Sequence, residues 1–76
     1  MITIYGKPSC GYCTMAKTLC ETKGAEYTYK QLGEDYTADE FYELFPSART
    51  FPQIISDEET IGGFNELRDY FEAQGV

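Results

Sequence analysis

Two thiols three positions apart, in Cys10-Gly11-Tyr12-Cys13, are the residues of this chain best equipped for chemistry. If Cys10 opens a helix, Cys13 lies one turn further along the same face, within disulfide reach. A helix N-terminus carries free N–H groups and partial positive charge, which favour a thiolate. Thiols so placed titrate at roughly 3.5–7.5, against about 8.5 for a free Cys. The pair therefore supplies an attacking thiolate and a second thiol to resolve the product, the minimum equipment for thiol–disulfide exchange. The competing chemistry is half of a zinc site. Structural zinc takes four Cys or His ligands, whereas this chain has no His and only one further Cys, Cys20. The ligand count favours redox chemistry and predicts no metal. Cys20 lies two helical turns beyond Cys13, roughly 10 Å away. That is too far for a disulfide, so Cys20 is expected to fill the core.

The elements that must position these thiols are readable in outline. Ile2-Thr3-Ile4-Tyr5 alternates as a strand does and is closed by Gly6 and Pro8. From Cys10 to about Lys23, residues Cys13, Ala16, Leu19 and Cys20 share a helical face, and Gly24 is a natural stop. Glu26 to Lys30 reads as a second strand, followed by a polar loop at Gly33-Glu34-Asp35. Thr37-Ala38-Asp39-Glu40 matches a capping box. Phe41, Leu44 and Phe45 then line one face until Pro46 ends the helix. Phe51 to Ile55, with Pro52 at its start, and Glu59-Thr60-Ile61 form a hairpin across a turn at Asp57-Glu58. After Gly62-Gly63, Phe64, Leu67 and Phe71 mark the apolar stripe of a last helix, with Gly75 just beyond it. The order β-α-β-α-β-β-α predicts an α/β fold. Its first three elements form a right-handed parallel crossover, and the hairpin adds antiparallel strands to make a mixed four-stranded sheet with three helices.

Composition narrows the function classes. Seventy-six residues make one domain, 1–76, and a chain this short buries only about 60% of its unfolded surface. Seven Tyr and five Phe supply much of the contact area. The net charge of −7 argues against a nucleic-acid partner. The charge is uneven. Lys7, Lys17, Lys23 and Lys30 outnumber Glu21 and Glu26 in residues 1–30, and the acids lie mostly beyond. The thiol-bearing segment is thus the locally positive one, which helps an anionic thiolate or ligand. No basic leader with an apolar run and no stretch near the ~20 residues of a membrane span are present. An odd Cys count does not suit a secreted disulfide scaffold, so a reducing, cytoplasmic setting is expected.

Three ordered segments, Lys7-Pro8-Ser9-Cys10-Gly11-Tyr12-Cys13, Thr50-Phe51-Pro52 and Gly62-Gly63-Phe64-Asn65, together resemble a dithiol glutaredoxin of the thioredoxin fold. The resemblance spans essentially the whole chain and is closest in kind to the short bacterial and phage members. It implies a glutathione-dependent thiol–disulfide oxidoreductase that reduces protein disulfides and glutathione mixed disulfides. Cys10 would be the nucleophile, beside the Lys7 cation, and Cys13 the buried resolving thiol. Glutathione would serve as reductant and ligand. Lys7, aided by Gln53 or Arg49, would meet its glycine carboxylate, Tyr12 would wall the groove, and Thr50-Phe51-Pro52 would pair with its backbone. Gly63, Phe64 and Asn65 would receive its γ-glutamyl carboxylate.

The resemblance also implies a cis bond before Pro52, where sequence alone favours trans. The family usually has Val at the position of Phe51. Backbone contacts do not depend on the side chain, so binding is expected to survive the change. Read without the family, Asn65 would cap the last helix. The implied partners are glutathione and disulfide-containing or glutathionylated proteins, ribonucleotide reductase among them, with no nucleic acid, no membrane and a monomeric state. Two alternatives share these residues. One is a thioredoxin-like donor recharged by a flavoprotein reductase. The other is a carrier holding a [2Fe–2S] cluster between two subunits with two glutathiones, as in some relatives with Gly at the second motif position.

Overall fold

The computed structural model describes residues 1–57 and 59–74. The expected order holds: β1 (Ile2–Gly6), α1 (Gly11–Thr22), β2 (Tyr27–Gln31), α2 (Ala38–Leu44), β3 (Gln53–Ser56), β4 (Glu59–Gly62) and α3 (Phe64–Ala73). The strands form one sheet in the order β2-β1-β3-β4. β1 pairs with β2 in parallel, from Ile2 opposite Tyr27 to Gly6 opposite Gln31. It pairs with β3 antiparallel, from Ile2 opposite Ser56 to Tyr5 opposite Gln53. β3 and β4 are antiparallel, with a shift of register between Ile54 and Ile55.

β1 is central, and helices cover both of its faces. The alternation read from the sequence therefore resolves into two buried sets. Ile2 and Ile4 join Ala16, Cys20, Ile54, Leu67 and Phe71 in one cluster. Tyr5 joins Tyr36, Phe41 and Phe45 in the other. The capping box at Thr37 forms in both directions: Thr37 N–H donates to Glu40 Oε1 at 2.9 Å, and Glu40 N–H donates to Thr37 Oγ1 at 3.2 Å.

Some expectations shift. Leu44 was expected on the apolar face of α2 but is 50% exposed. The helix is only two turns long, and Phe41 and Phe45, four apart, fill its inward stripe. Strand β3 starts at Gln53, because Phe51 and Pro52 form no ladder with β1. Tyr36, unremarked in a loop, is buried, and its hydroxyl donates to the Gly6 carbonyl at 2.6 Å. Gly6 ends β1 beneath Tyr29, whose hydroxyl occupies the space a side chain at position 6 would need. The expected turn at Glu58 and the expected stop at Gly75 lie outside the described residues. Asp57, which precedes that turn, has φ of 56° and accepts an ion pair from the N-terminal ammonium at 2.7 Å.

Candidate active site

Cys10 caps α1 rather than lying within it. Its backbone is extended, and its sulfur accepts a hydrogen bond from the Cys13 N–H at 3.2 Å. A cap sulfur meeting the free N–H groups of the first turn is the arrangement that favours negative charge on that sulfur. Ser9, just before it, has φ of 56°, a left-handed conformation that costs a residue with a side chain about 1–2 kcal/mol. That turn swings the chain from the β1 exit into the helix.

One helical turn on, Cys13 is 1% exposed, while Cys10 is half-buried. The two sulfurs are joined as a disulfide, with Cα atoms 5.2 Å apart. Cys20 is unpaired and fully buried, as its distance predicted. Burial, with Glu21 beside it, pushes its thiol up to about 11, so it stays protonated and inert at neutral pH.

The Phe51–Pro52 peptide bond is cis, as the resemblance implied, and Pro52 is buried. Among the described residues, neither the N–H nor the C=O of Phe51 enters a backbone hydrogen bond. Both remain available to an extended ligand. The Phe51 carbonyl oxygen lies 3.9 Å from the Cys10 sulfur; a disulfide sulfur has no proton to donate, so this is a contact that sets position. What holds Phe51 is its side chain. The ring stacks on Phe41 with centroids 4.4 Å apart, and Lys7 Nζ lies 5.4 Å from the centre of the Phe51 ring. The side chain thus contributes to where the Phe51 backbone groups sit.

A groove of about 220 Å³ runs between this loop and α3, lined by Tyr12, Thr50, Phe51, Gly63, Phe64, Asn65 and Glu66. Six of the predicted ligand contacts therefore come together. Tyr12 is 59% exposed and leans toward Phe64, with ring centroids 5.9 Å apart, which makes it a wall of the groove. Lys7 and Pro52 do not line it: Lys7 lies over Phe51, and the Pro52 side chain is buried. Arg49 and Gln53 line a neighbouring hollow of about 480 Å³ that shares only Thr50 with the groove. The Gln53 side-chain amide donates to the Thr50 carbonyl at 3.0 Å, bracing the loop from within.

Sequence reasoning missed Glu66. The N-cap of α3 is Gly63, not Asn65. Glu66 Oε1 accepts the Gly63 N–H at 2.8 Å. Half of a capping box is present, but Gly63 has no side chain to complete it, so the usual Ser/Thr-x-x-Glu signature is missing from the sequence. Glycine at the cap followed three residues later by Glu was the only signal. Among the described residues no cluster of three or more His, Cys, Asp or Glu is placed to hold a metal ion. No described helix is long and apolar enough to cross a membrane.

Comparison with known proteins bears on the same residues. Positions 2–61 match the family model described as Glutaredoxin. A glutaredoxin of Neisseria meningitidis serogroup A is 35% identical over 68 residues, covering 87% of this chain and 79% of that protein. Among solved structures, glutaredoxin 1 from Francisella tularensis superposes with a TM-score of 0.80 at 28% identity, over 96% of this chain and 93% of that one. A buckwheat glutaredoxin–glutathione complex superposes at 0.78 with 26% identity, over 97% and 69%.

Proposed function

The chain belongs to the glutaredoxin family and is a thiol–disulfide oxidoreductase of the thioredoxin fold, and from that premise we propose that it draws its electrons from glutathione through Cys10 and Cys13. The observation that carries this reading is the placement of the half-buried Cys10 sulfur 3.9 Å from the Phe51 carbonyl, beside a groove whose walls are Tyr12, Thr50, Phe51, Phe64 and Asn65. A tripeptide laid along Thr50-Phe51-Pro52 pairs with the free backbone groups of Phe51 and brings its sulfur to Cys10. The buckwheat relative, a glutaredoxin–glutathione complex, supports the choice of ligand.

The cycle follows from the two exposures. Cys10 thiolate attacks a substrate disulfide, forming a mixed disulfide and releasing one substrate thiolate. Cys13, shielded at the next turn, attacks the Cys10 sulfur. This releases the second substrate thiol and leaves the Cys10–Cys13 disulfide. One glutathione opens that disulfide by bonding to Cys10 and freeing Cys13. A second attacks the bound glutathione sulfur, releases the Cys10 thiolate and leaves as glutathione disulfide, so that the two glutathiones have together given two electrons to the Cys10–Cys13 pair. Glutaredoxin potentials of about −200 to −230 mV lie near the biochemically measured glutathione poise, so the exchange runs without a large gradient. Lys7, over Phe51, supplies positive charge for the glycine carboxylate. We place the protein in a reducing, cytoplasmic setting, acting as a single-domain monomer on disulfide-containing or glutathionylated proteins, with ribonucleotide reductase one substrate by family analogy.

The test is turnover coupled to glutathione reductase, with thioredoxin reductase as the rival electron source. Cys10→Ser should abolish all activity. Cys13→Ser should keep reduction of glutathione mixed disulfides while losing most protein-disulfide reduction. Turnover with thioredoxin reductase but none with glutathione would overturn the assignment, as would a Cys10→Ser protein that retains either activity. A brown colour after anaerobic purification would instead support the cluster-carrying alternative.

A further inference from the structure

We propose that Glu66 is an internal substitute for the ligand's carboxylate, so that glutathione binds at α3 by displacing it. The inference rests on the glutathione reading above and specifies how the γ-glutamyl end of the site works. The N–H of Gly63 and the first turn of α3 form the part of the groove suited to an anion. That N–H is already taken: Glu66 Oε1 accepts it at 2.8 Å. The side chain also folds back over the two glycines. A Cβ on Gly62 would lie 2.9 Å from Glu66 Cγ, and one on Gly63 would lie 3.2 Å from Glu66 Oε1 and 3.6 Å from the Pro52 carbonyl oxygen. Gly62 has φ of 121°, which itself favours glycine. The glycine pair therefore makes room for the protein's own carboxylate, and at Gly63 on the side that faces the Pro52 carbonyl.

Glu66 is also the only charged residue among those lining the groove. A second carboxylate entering there meets an occupied donor and a like charge. Two carboxylates cannot both take the Gly63 N–H, so a ligand carboxylate seated on that donor exchanges with Glu66. The free energy gained at this end is then the difference between two similar charge-assisted bonds rather than the whole of one. Glu66 thereby sets affinity for an anionic thiol ligand while touching no reacting atom.

The probe is S-methylglutathione, which keeps both carboxylates and has no free thiol. It is titrated into the disulfide form of wild type, Glu66→Ala and Glu66→Gln, with backbone amide NMR as readout. Freeing the donor and removing one like charge should tighten binding roughly fivefold in Glu66→Ala. Glu66→Gln keeps a neutral cap and should fall between the two, and it carries the test should the alanine variant fold poorly. A probe amidated at the γ-glutamyl α-carboxylate should gain nothing from either change. Equal or weaker binding in the folded variants overturns the displacement alone. An absence of binding to all three proteins overturns the glutathione reading, and this inference with it.

Discussion

Beneath α1 and α3 the sheet is covered mainly by aliphatic and small side chains, Ile2, Ile4, Ala16, Cys20, Ile54 and Leu67, with Phe71 at one end. Beneath α2 the fully buried cover is aromatic, Tyr5, Tyr36, Phe41 and Phe45, with Leu32, Ala48 and Ile55 packed at its margin. The rings meet at set angles, Tyr5 edge-on to both Tyr36 and Phe45, and Phe41 stacked on Phe51. The groove lies on the seam between the two. Phe51, one wall, packs on the aromatic cluster, and Phe64, the other, packs on the aliphatic one. The aliphatic side anchors helices that already hold their own backbone bonds. The aromatic side positions a loop whose key backbone groups have no partners among the described residues, so there side-chain geometry substitutes for a hydrogen-bond ladder. Stability is shared between the faces, and positioning of the Phe51 wall is not.

The sharpest way to break that contrast is the same substitution on each face. Phe41→Ala and Phe71→Ala should each lose about 3–5 kcal/mol, a large share of the stability of so small a domain. The milder Phe41→Leu and Phe71→Leu keep the chain folded, each losing less than about 1.5 kcal/mol. Only Phe41→Leu should raise the KM for glutathione, because only Phe41 supports Phe51. Chemical denaturation paired with steady-state kinetics would check this, and equal KM changes would dissolve the contrast.

A smaller effect separates the two buried thiols of α1. Cys20→Ala should cost about 1 kcal/mol at neutral pH by opening a small cavity and should leave turnover unchanged. The pH dependence is more telling. The folded chain keeps the Cys20 proton to about pH 11, whereas the unfolded thiol loses it near 9. Its contribution is complete below pH 9 and is lost as pH rises through 11. Wild type should therefore lose stability faster than Cys20→Ala across that window. Parallel curves would mean that burial does not hold the proton.

The smallest effect lies at the seam. Gly11 is the first residue of α1, and a side chain there would meet open space. Proline suits that position, so Gly11→Pro should add about 0.4–1 kcal/mol by restricting the unfolded chain. It should also suppress any cluster uptake on anaerobic reconstitution with iron, by fixing the turn that presents Cys10. A less stable variant, or one that takes up iron as readily as wild type, would contradict the argument.

What could be read in the sequence divides along the same line. Helices and strands that bury one periodic stripe were legible: Cys13, Ala16 and Cys20 on α1, Leu67 and Phe71 on α3, and the reciprocal cap at Thr37 and Glu40. The Cys pair and most of the groove walls were legible from motif order. Tyr36 was not, because a single buried ring in a loop has no periodicity and its partner, the Gly6 carbonyl, is thirty residues away. Leu44 was assigned inward because its spacing from Phe41 fits a helix face, yet so short a helix has room for one stripe. Glu66 was hidden because its partner is a backbone N–H on a glycine.

The Tyr29 hydroxyl that overlies Gly6 has a consequence for how this sequence can change over generations. Any side chain gained at position 6 meets the end of the Tyr29 side chain, so the gain requires that ring to turn aside or shrink. A smaller residue at 29 removes the collision, which makes the order of the two substitutions matter. Position 6 accepts a side chain more readily once position 29 has changed, so in a set of descendants the two should tend to change together, with residue 29 first. This is a one-way coupling between neighbouring strands, imposed by the end of one phenol ring.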